Sequence, residues 1–235
     1  MSNGFVRVLS FLATITFLGA TVRAADPPPA KSPEEALKLY QQELQAGRLE
    51  ASLQYVSTPR RPVWQATVGM VRAAQAFEDA LGAKFGKEAG RRRMFDPQAD
   101  ARAVKRVEVR SKAEEKSGVH LTVWKTRAGP DGKDRVAEEK FFAVEDETGW
   151  RLQLPLPFGG TKTSPATRKG ADGSTVTVTV VEHLADTPTA KQEAFVKEKV
   201  ARTTATFTKL AREVAAGKYA TRKEALDALR ARLKQ

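Results

Sequence analysis

The 235-residue chain is predicted to be an α+β protein: N-terminal helices on one face of a curved antiparallel sheet of four to five strands, followed by a C-terminal helical hairpin. Three observations carry that reading. Apolar residues recur with a helical period as far as residue 88. From Val104 to Leu154 the period switches to two, and beyond Pro188 it returns to the helical value. The period of the apolar pattern separates helix from strand because side chains repeat every 3.6 residues on one and every two on the other.

The N-terminus is predicted to be a signal peptide over residues 1–24. Arg7 supplies the positive flank, Val8 to Ala20 the apolar stretch, and Val22-Arg23-Ala24 a small-x-small signal that places cleavage between Ala24 and Ala25. The alternative is a retained anchor. The uncharged run between Arg7 and Arg23 spans roughly 22 Å as a helix, against about 30 Å of hydrocarbon. Asp26-Pro27-Pro28-Pro29 then stops any helix. No cysteine occurs anywhere, so attachment through a lipidated cysteine is excluded.

Residues 25–31 read as a Pro-rich spacer. Ser32-Pro33-Glu34-Glu35 follows as a capping box, with Ser32 as N-cap and Pro33 in the first helical position. Leu37, Tyr40 and Leu44 continue the helix to Gly47. Arg48 to Val56 reads as a short second helix ending at Ser57-Thr58-Pro59. Pro62 opens a third, running to about Glu88, with Trp64, Val68, Val71, Leu81 and Phe85 close to one face. Its glycines, Gly69, Gly82 and Gly86, suggest close contact with a sheet. Between Gly90 and Pro97 the helical pattern is lost.

Strands are predicted over Val104–Arg110, Val119–Thr126, Val136–Glu145 and Trp150–Leu154. Lys116-Ser117-Gly118, Gly129-Pro130-Asp131-Gly132 and Asp146-Glu147-Thr148-Gly149 join them, and connections this short make neighbours antiparallel. One face is apolar and the other polar, so helices are expected on a single side. Residues 155–174 read as a loop, and Thr175 to Val181 as a candidate fifth strand. The α+β domain thus covers 32–181.

The hairpin covers 189–235. Its first helix, about 189–216, carries Val196, Val200, Thr203, Phe207, Leu210 and Val214 in steps of four and three, a narrow apolar seam. After Gly217 a second capping box, Thr221 to Glu224, opens a last helix with Leu226, Leu229 and Leu233 on one face. This pair either packs on its own domain or forms a homodimer surface.

Lys and Arg number 40 against 28 Asp and Glu, a net charge of +12 that becomes +10 without Arg7 and Arg23. Ten of the basic residues fall between Lys84 and Lys112, among them Arg91, Arg92, Arg93, Lys105, Arg106 and Arg110. Such a field either is a solvated surface that keeps the protein soluble or favours an anionic partner, which in an exported chain means an envelope component and not nucleic acid. With no Cys and only His120 and His183, the usual zinc and iron–sulfur sites are excluded; no metal and no cofactor are expected. Neither Gly-x-Ser-x-Gly nor a Gly-x-x-x-x-Gly-Lys loop occurs. Gly159-Gly160-Thr161-Lys162 lacks the strand–helix context of a phosphate loop, and Gly129 to Asp134 lacks the glutamate of a calcium loop.

The stretches SPEEALKLYQQELQAGRLEASLQYV and FFAVEDETGWRLQLP carry a resemblance. The opening Pro33 to Ala36, Tyr40, Gly47 and the late Gly149-Trp150-Arg151 resemble the exported NTF2-like (cystatin-like) α+β cone domains of uncharacterised bacterial secreted proteins. The likeness covers about residues 32–155. It implies a cone with a pocket between helices and sheet. It transfers no chemistry, since this fold hosts isomerases, dehydratases, adaptors and domains without activity. Arg48 stands where Asp commonly follows the glycine, and no early strand hairpin is visible between the helices.

Pocket candidates are His120 and Trp124, on one face of the second strand, and Tyr40, on the first helix. If the face bearing Val119, Leu121 and Val123 meets the helices, His120 lies at the surface. Glu108 alternates outward beside Arg106 and Arg110, and no acid stands at an evidently inward strand position. The function expected is that of an exported, periplasmic or secreted, non-enzymatic binding or structural protein. Its partner would be an anionic envelope component or a small apolar ligand, with no membrane span after cleavage. The rival is an isomerase- or dehydratase-type enzyme with His120 as general base.

Overall fold

The computed structural model describes residues 28–86, 96–129, 131–157, 160–183 and 189–234. The chain is α+β: among the described residues six α-helices accompany a six-stranded, mostly antiparallel sheet. The helices are α1 (Pro33–Gln45), α2 (Leu49–Ser52), α3 (Arg61–Phe85), α4 (Pro97–Arg102), α5 (Ala190–Ala215) and α6 (Arg222–Leu233). The strands are β1 (Val104–Glu115), β2 (Gly118–Ala128), β3 (Asp134–Asp146), β4 (Gly149–Gln153), β5 (Thr161–Lys169) and β6 (Thr175–His183).

Ser32 caps α1 as its sequence implies, its hydroxyl accepting the Glu35 N–H at 3.1 Å. The Glu35 carboxylate reaches past the cap and accepts from the Lys31 N–H at 2.6 Å. Thr221 and Glu224 repeat this at α6, with Glu224 accepting from Ala220. The second helix is shorter than expected: α2 gives way to a 3-10 turn over Leu53–Tyr55. Asp96 caps α4, a helix absent from the sequence reading, through the Ala99 N–H at 2.9 Å. Six residues are too few to display a period.

The expected meander β1–β4 is present, and its register is antiparallel throughout. Two expectations about the remaining strands need correction. Residues 161–169, inside the expected loop, form β5. Nearly every side chain of β5 is exposed, so no alternation marked it, and Pro165 in its middle is tolerated because β5 is an edge strand. Thr175 to Val181 does belong to a strand, but β6 lies parallel to β3. One edge of β3 is shared: β6 pairs with Val136 to Glu139 and β4 with Phe142 to Asp146. The sheet therefore has six strands where four to five were expected.

The helix-facing core joins Ala36 and Leu37 of α1, Leu53, Tyr55 and Val56, and the strand residues Val119, Leu121, Val123, Phe141, Ala143 and Leu152. Ala30, at the end of the Pro-rich segment, is buried in the same core, and its carbonyl accepts the Trp150 N–H at 3.0 Å.

Helix α3 departs from its expected sheet contact. Its buried stripe is Val63, Thr67, Met70, Ala74, Phe77 and Leu81, advancing by four and three residues like the seam of α5. The two helices run parallel in matching register. Arg60 pairs with Glu193 at one end, Phe77 lies 6.0 Å from Phe207 in the middle, and Lys84 donates to the Tyr219 carbonyl at the other end. Matching heptad seams pack side chains of one helix into gaps of the other. Only Trp64 and Val68 of α3 reach the sheet core. Helix α6 closes the far end through Ala225 and Leu229, whereas Leu233, expected on its apolar face, is exposed. The seam of α5 is thus buried within this chain.

Candidate functional site

On the helix-facing side of the sheet, alternation along β2 places Lys125 in line with Leu121 and Val123. Register places Val123 opposite Glu139, so Glu139 shares that side. This corrects the expectation that no acid faces inward. Residues Val136 to Ala143 carry a glutamate and a phenylalanine in each of their two phases, so alternation within β3 cannot choose between Glu138 and Glu139. Only pairing with β2 decides.

Lys125 and Glu139 form an ion pair at 2.6 Å, their side chains 13% and 14% exposed. The Lys125 ammonium also lies 4.7 Å from the centre of the Phe141 ring. Tyr40 and Trp64 are half-buried against the same core, together with Val68, Val107 and Val109. Burial pushes the Tyr40 hydroxyl's pKa well up, and the negative charge of Glu139 pushes it further. The Trp64 indole N–H is buried without a hydrogen-bond partner. A largely buried ion pair is weak evidence for a stabilising role, since well-packed apolar residues of similar volume are commonly as stable.

His120 and Trp124 lie on the opposite side of the sheet from Tyr40, so the three pocket candidates do not meet. His120 keeps 42% of its side chain exposed, with Nε2 at 3.0 Å from a Glu115 carboxylate oxygen. Its ring leans on Phe142 at 4.6 Å. Trp124 is buried despite facing outward. The Arg110 guanidinium covers its ring at 4.3 Å, and its indole N–H donates to Glu138 at 2.9 Å. Arg168 on β5 holds the same carboxylate at 2.9 Å.

The expected basic patch divides. Arg91, Arg92 and Arg93, like the cleavage residues Ala24 and Ala25, lie outside the described residues. Lys105 is paired with Asp134 at 2.6 Å and Arg106 with Glu108, while Arg110 spans Trp124 and Glu108. Each of these three cations is met by an acid of the same sheet.

Among the described residues no group of three or more His, Asp and Glu side chains could hold a metal ion, and no helix is long and apolar enough to cross a membrane. Compared with known proteins, the chain matches no family model, no curated protein and no solved structure.

Proposed function

We propose that this is an exported, non-enzymatic binding protein that holds a small amphiphilic ligand between α1, the start of α3 and the helix-facing sheet. The observation that carries the reading is the Lys125–Glu139 pair, kept at low exposure with Tyr40 within electrostatic reach of Glu139. Val68, Val107 and Val109 offer apolar surface for the ligand's body. Lys125, Glu139, the Tyr40 hydroxyl and the unpartnered Trp64 N–H offer both donors and an acceptor for a polar head. The NTF2-like resemblance adds weight, because a site between the opening helix and the sheet is what such a cone provides. The segment 1–24 supports export, with maturation at Ala25.

The exposure of His120 weighs against the enzymatic alternative, since a general base in this fold needs a desolvated cavity to shift its pKa. The pairing of Lys105, Arg106 and Arg110 likewise leaves an anionic envelope partner to Arg91, Arg92 and Arg93.

The test is mass spectrometry of small molecules extracted from the protein purified from an exporting host, beside a Lys125→Met/Glu139→Leu double variant. A compound carried by the wild type and missing from the folded variant is the expected result. Identical extracts overturn the proposal. N-terminal sequencing of the exported chain should begin at Ala25.

A further inference from the structure

An open cleft of about 630 Å³ lies between the 3-10 turn, the start of α3 and the β3–β4 turn. Arg61 and Gln65 of α3 line it, facing Leu53 and Gln54 of the turn, with Thr148 and Arg151 across from them. The start of α3 breaks a local rule. A helix N-terminus carries a partial positive charge and favours acids, yet the first turn of α3 has none and begins with Arg60 and Arg61.

The charge of Arg60 is met by Glu193 at 2.6 Å. That of Arg61 is met by no carboxylate within ion-pair distance among the described residues. Its single side-chain hydrogen bond runs from Nη2 to the Val56 carbonyl at 3.2 Å, and its Nε is buried without a partner. Arg151 is 8% exposed at its side chain, and its Nε is also without a hydrogen bond. Its charge is balanced by Asp146, 3.8 Å away. Glu50, on the rim, is balanced by Arg72 at 3.1 Å. Asp146 also feels the charge of Arg61, so one carboxylate is shared by two arginines and the walls keep a single net positive charge, reinforced at Arg61 by the helix dipole.

We infer that this cleft binds a small organic monocarboxylate, with the Arg61 guanidinium as its principal contact. A planar guanidinium fork matches a carboxylate in two parallel hydrogen bonds. The Gln54 and Gln65 amides reach polar substituents, and Leu53 with Pro29 supplies a short apolar wall. With Glu50 paired to Arg72, the single net positive charge of the walls matches a monoanion better than a dianion such as inorganic phosphate.

The site is separate from the Lys125–Glu139 pair and is tested separately, by NMR titration of the mature chain with sodium acetate, butyrate and phosphate at matched ionic strength. Butyrate is expected to shift the Arg61 Nε–H resonance and the Gln54 and Gln65 amides saturably, and more tightly than acetate or phosphate. Arg61→Gln should weaken binding about tenfold or more, in line with loss of a charge-assisted pair. Glu50→Gln, an exposed change that also frees Arg72, should tighten it a few-fold. Shifts that never saturate, or that chloride reproduces, overturn the site. Phosphate binding more tightly than butyrate, or an unchanged affinity in Glu50→Gln, overturns the monocarboxylate assignment even where Arg61→Gln fails to fold.

Discussion

Arg168 on β5 grips the Glu138 carboxylate of β3 through two nitrogens, at 2.9 and 3.0 Å, across an intervening strand. The same carboxylate takes the Trp124 indole N–H, and Arg110 of β1 both covers that indole and reaches the Lys169 carbonyl of β5. The two ends of the strand order are thereby tied together over the outward face. An exposed hairpin that buries little apolar surface depends on such contacts for its placement.

Arg168→Ala should release that hairpin. The hydrogen bond from Arg168 holds the Glu138 carboxyl below the ordinary glutamate range, against the opposing effect of burial. A lowered folded-state pKa contributes stability above about pH 4.3 and loses it as pH falls through the folded value. The variant should therefore have a lower urea midpoint at pH 7 and a smaller drop on going to pH 3. Fluorescence of Trp124 should shift to the red. An unchanged midpoint at both pH values would remove the hairpin's dependence on this pair.

Glu213 makes a second acid-sensitive lock, between α5 and α6. Hydrogen bonds from Tyr219, Lys218 and Arg232 pull its pKa down to about 2. The sign is the same: the contribution is complete above the ordinary glutamate value and disappears between about pH 4.3 and 2. Glu213→Gln should flatten the acid limb of the stability profile and leave the neutral plateau lower. Hydrogen exchange of α6 amides at pH 5 and pH 2.5 reads this directly.

The parallel seam of α3 and α5 predicts large effects from its aromatic pair. Phe77 and Phe207 are 0% and 1% exposed, and truncating a buried Phe to Ala costs about 3–5 kcal/mol. Each single change should do so, and the double change should cost less than the sum because the two share one cavity. Full additivity in denaturant titrations would contradict the contact.

Gly149 is constrained twice. Its φ is +107°, and a Cβ there would meet the Ala30 carbonyl oxygen at 2.6 Å, the same oxygen that accepts from Trp150. Gly149→Ala should cost about 1–3 kcal/mol and increase proteolysis of the segment before Ser32. A neutral substitution would mean that Ala30 is not held in the core.

Much of the candidate site was hidden from the sequence for one reason. Tyr40 showed itself through its helical stripe. Its companion Glu139 sits in β3, whose inward and outward phases look alike, and Lys125, though it continues the apolar phase of β2, is a lone charge that gained meaning only once Glu139 was placed opposite that face. Trp124 has the opposite character: it is a large apolar ring on the polar phase, buried where Arg110 covers it and where Glu138, held by Arg168, takes its indole N–H. Arg61 resembles any surface arginine until the positions of Glu193, Asp146 and Arg72 show which of its neighbours' charges are balanced.

By itself the sequence determined the local structure of this protein: the capped starts of α1 and α6, the meander with its three turns, and the seam of α5. These follow from period, capping chemistry and turn residues, which act over a few neighbours in the chain. The tertiary structure decided which elements meet. It set α5 parallel to α3, placed β6 beside β3, made a strand of residues 161–169 and turned Glu139 inward. Those outcomes depend on matching distant surfaces, since a seam or a strand edge specifies what kind of partner it needs and leaves open which segment supplies it.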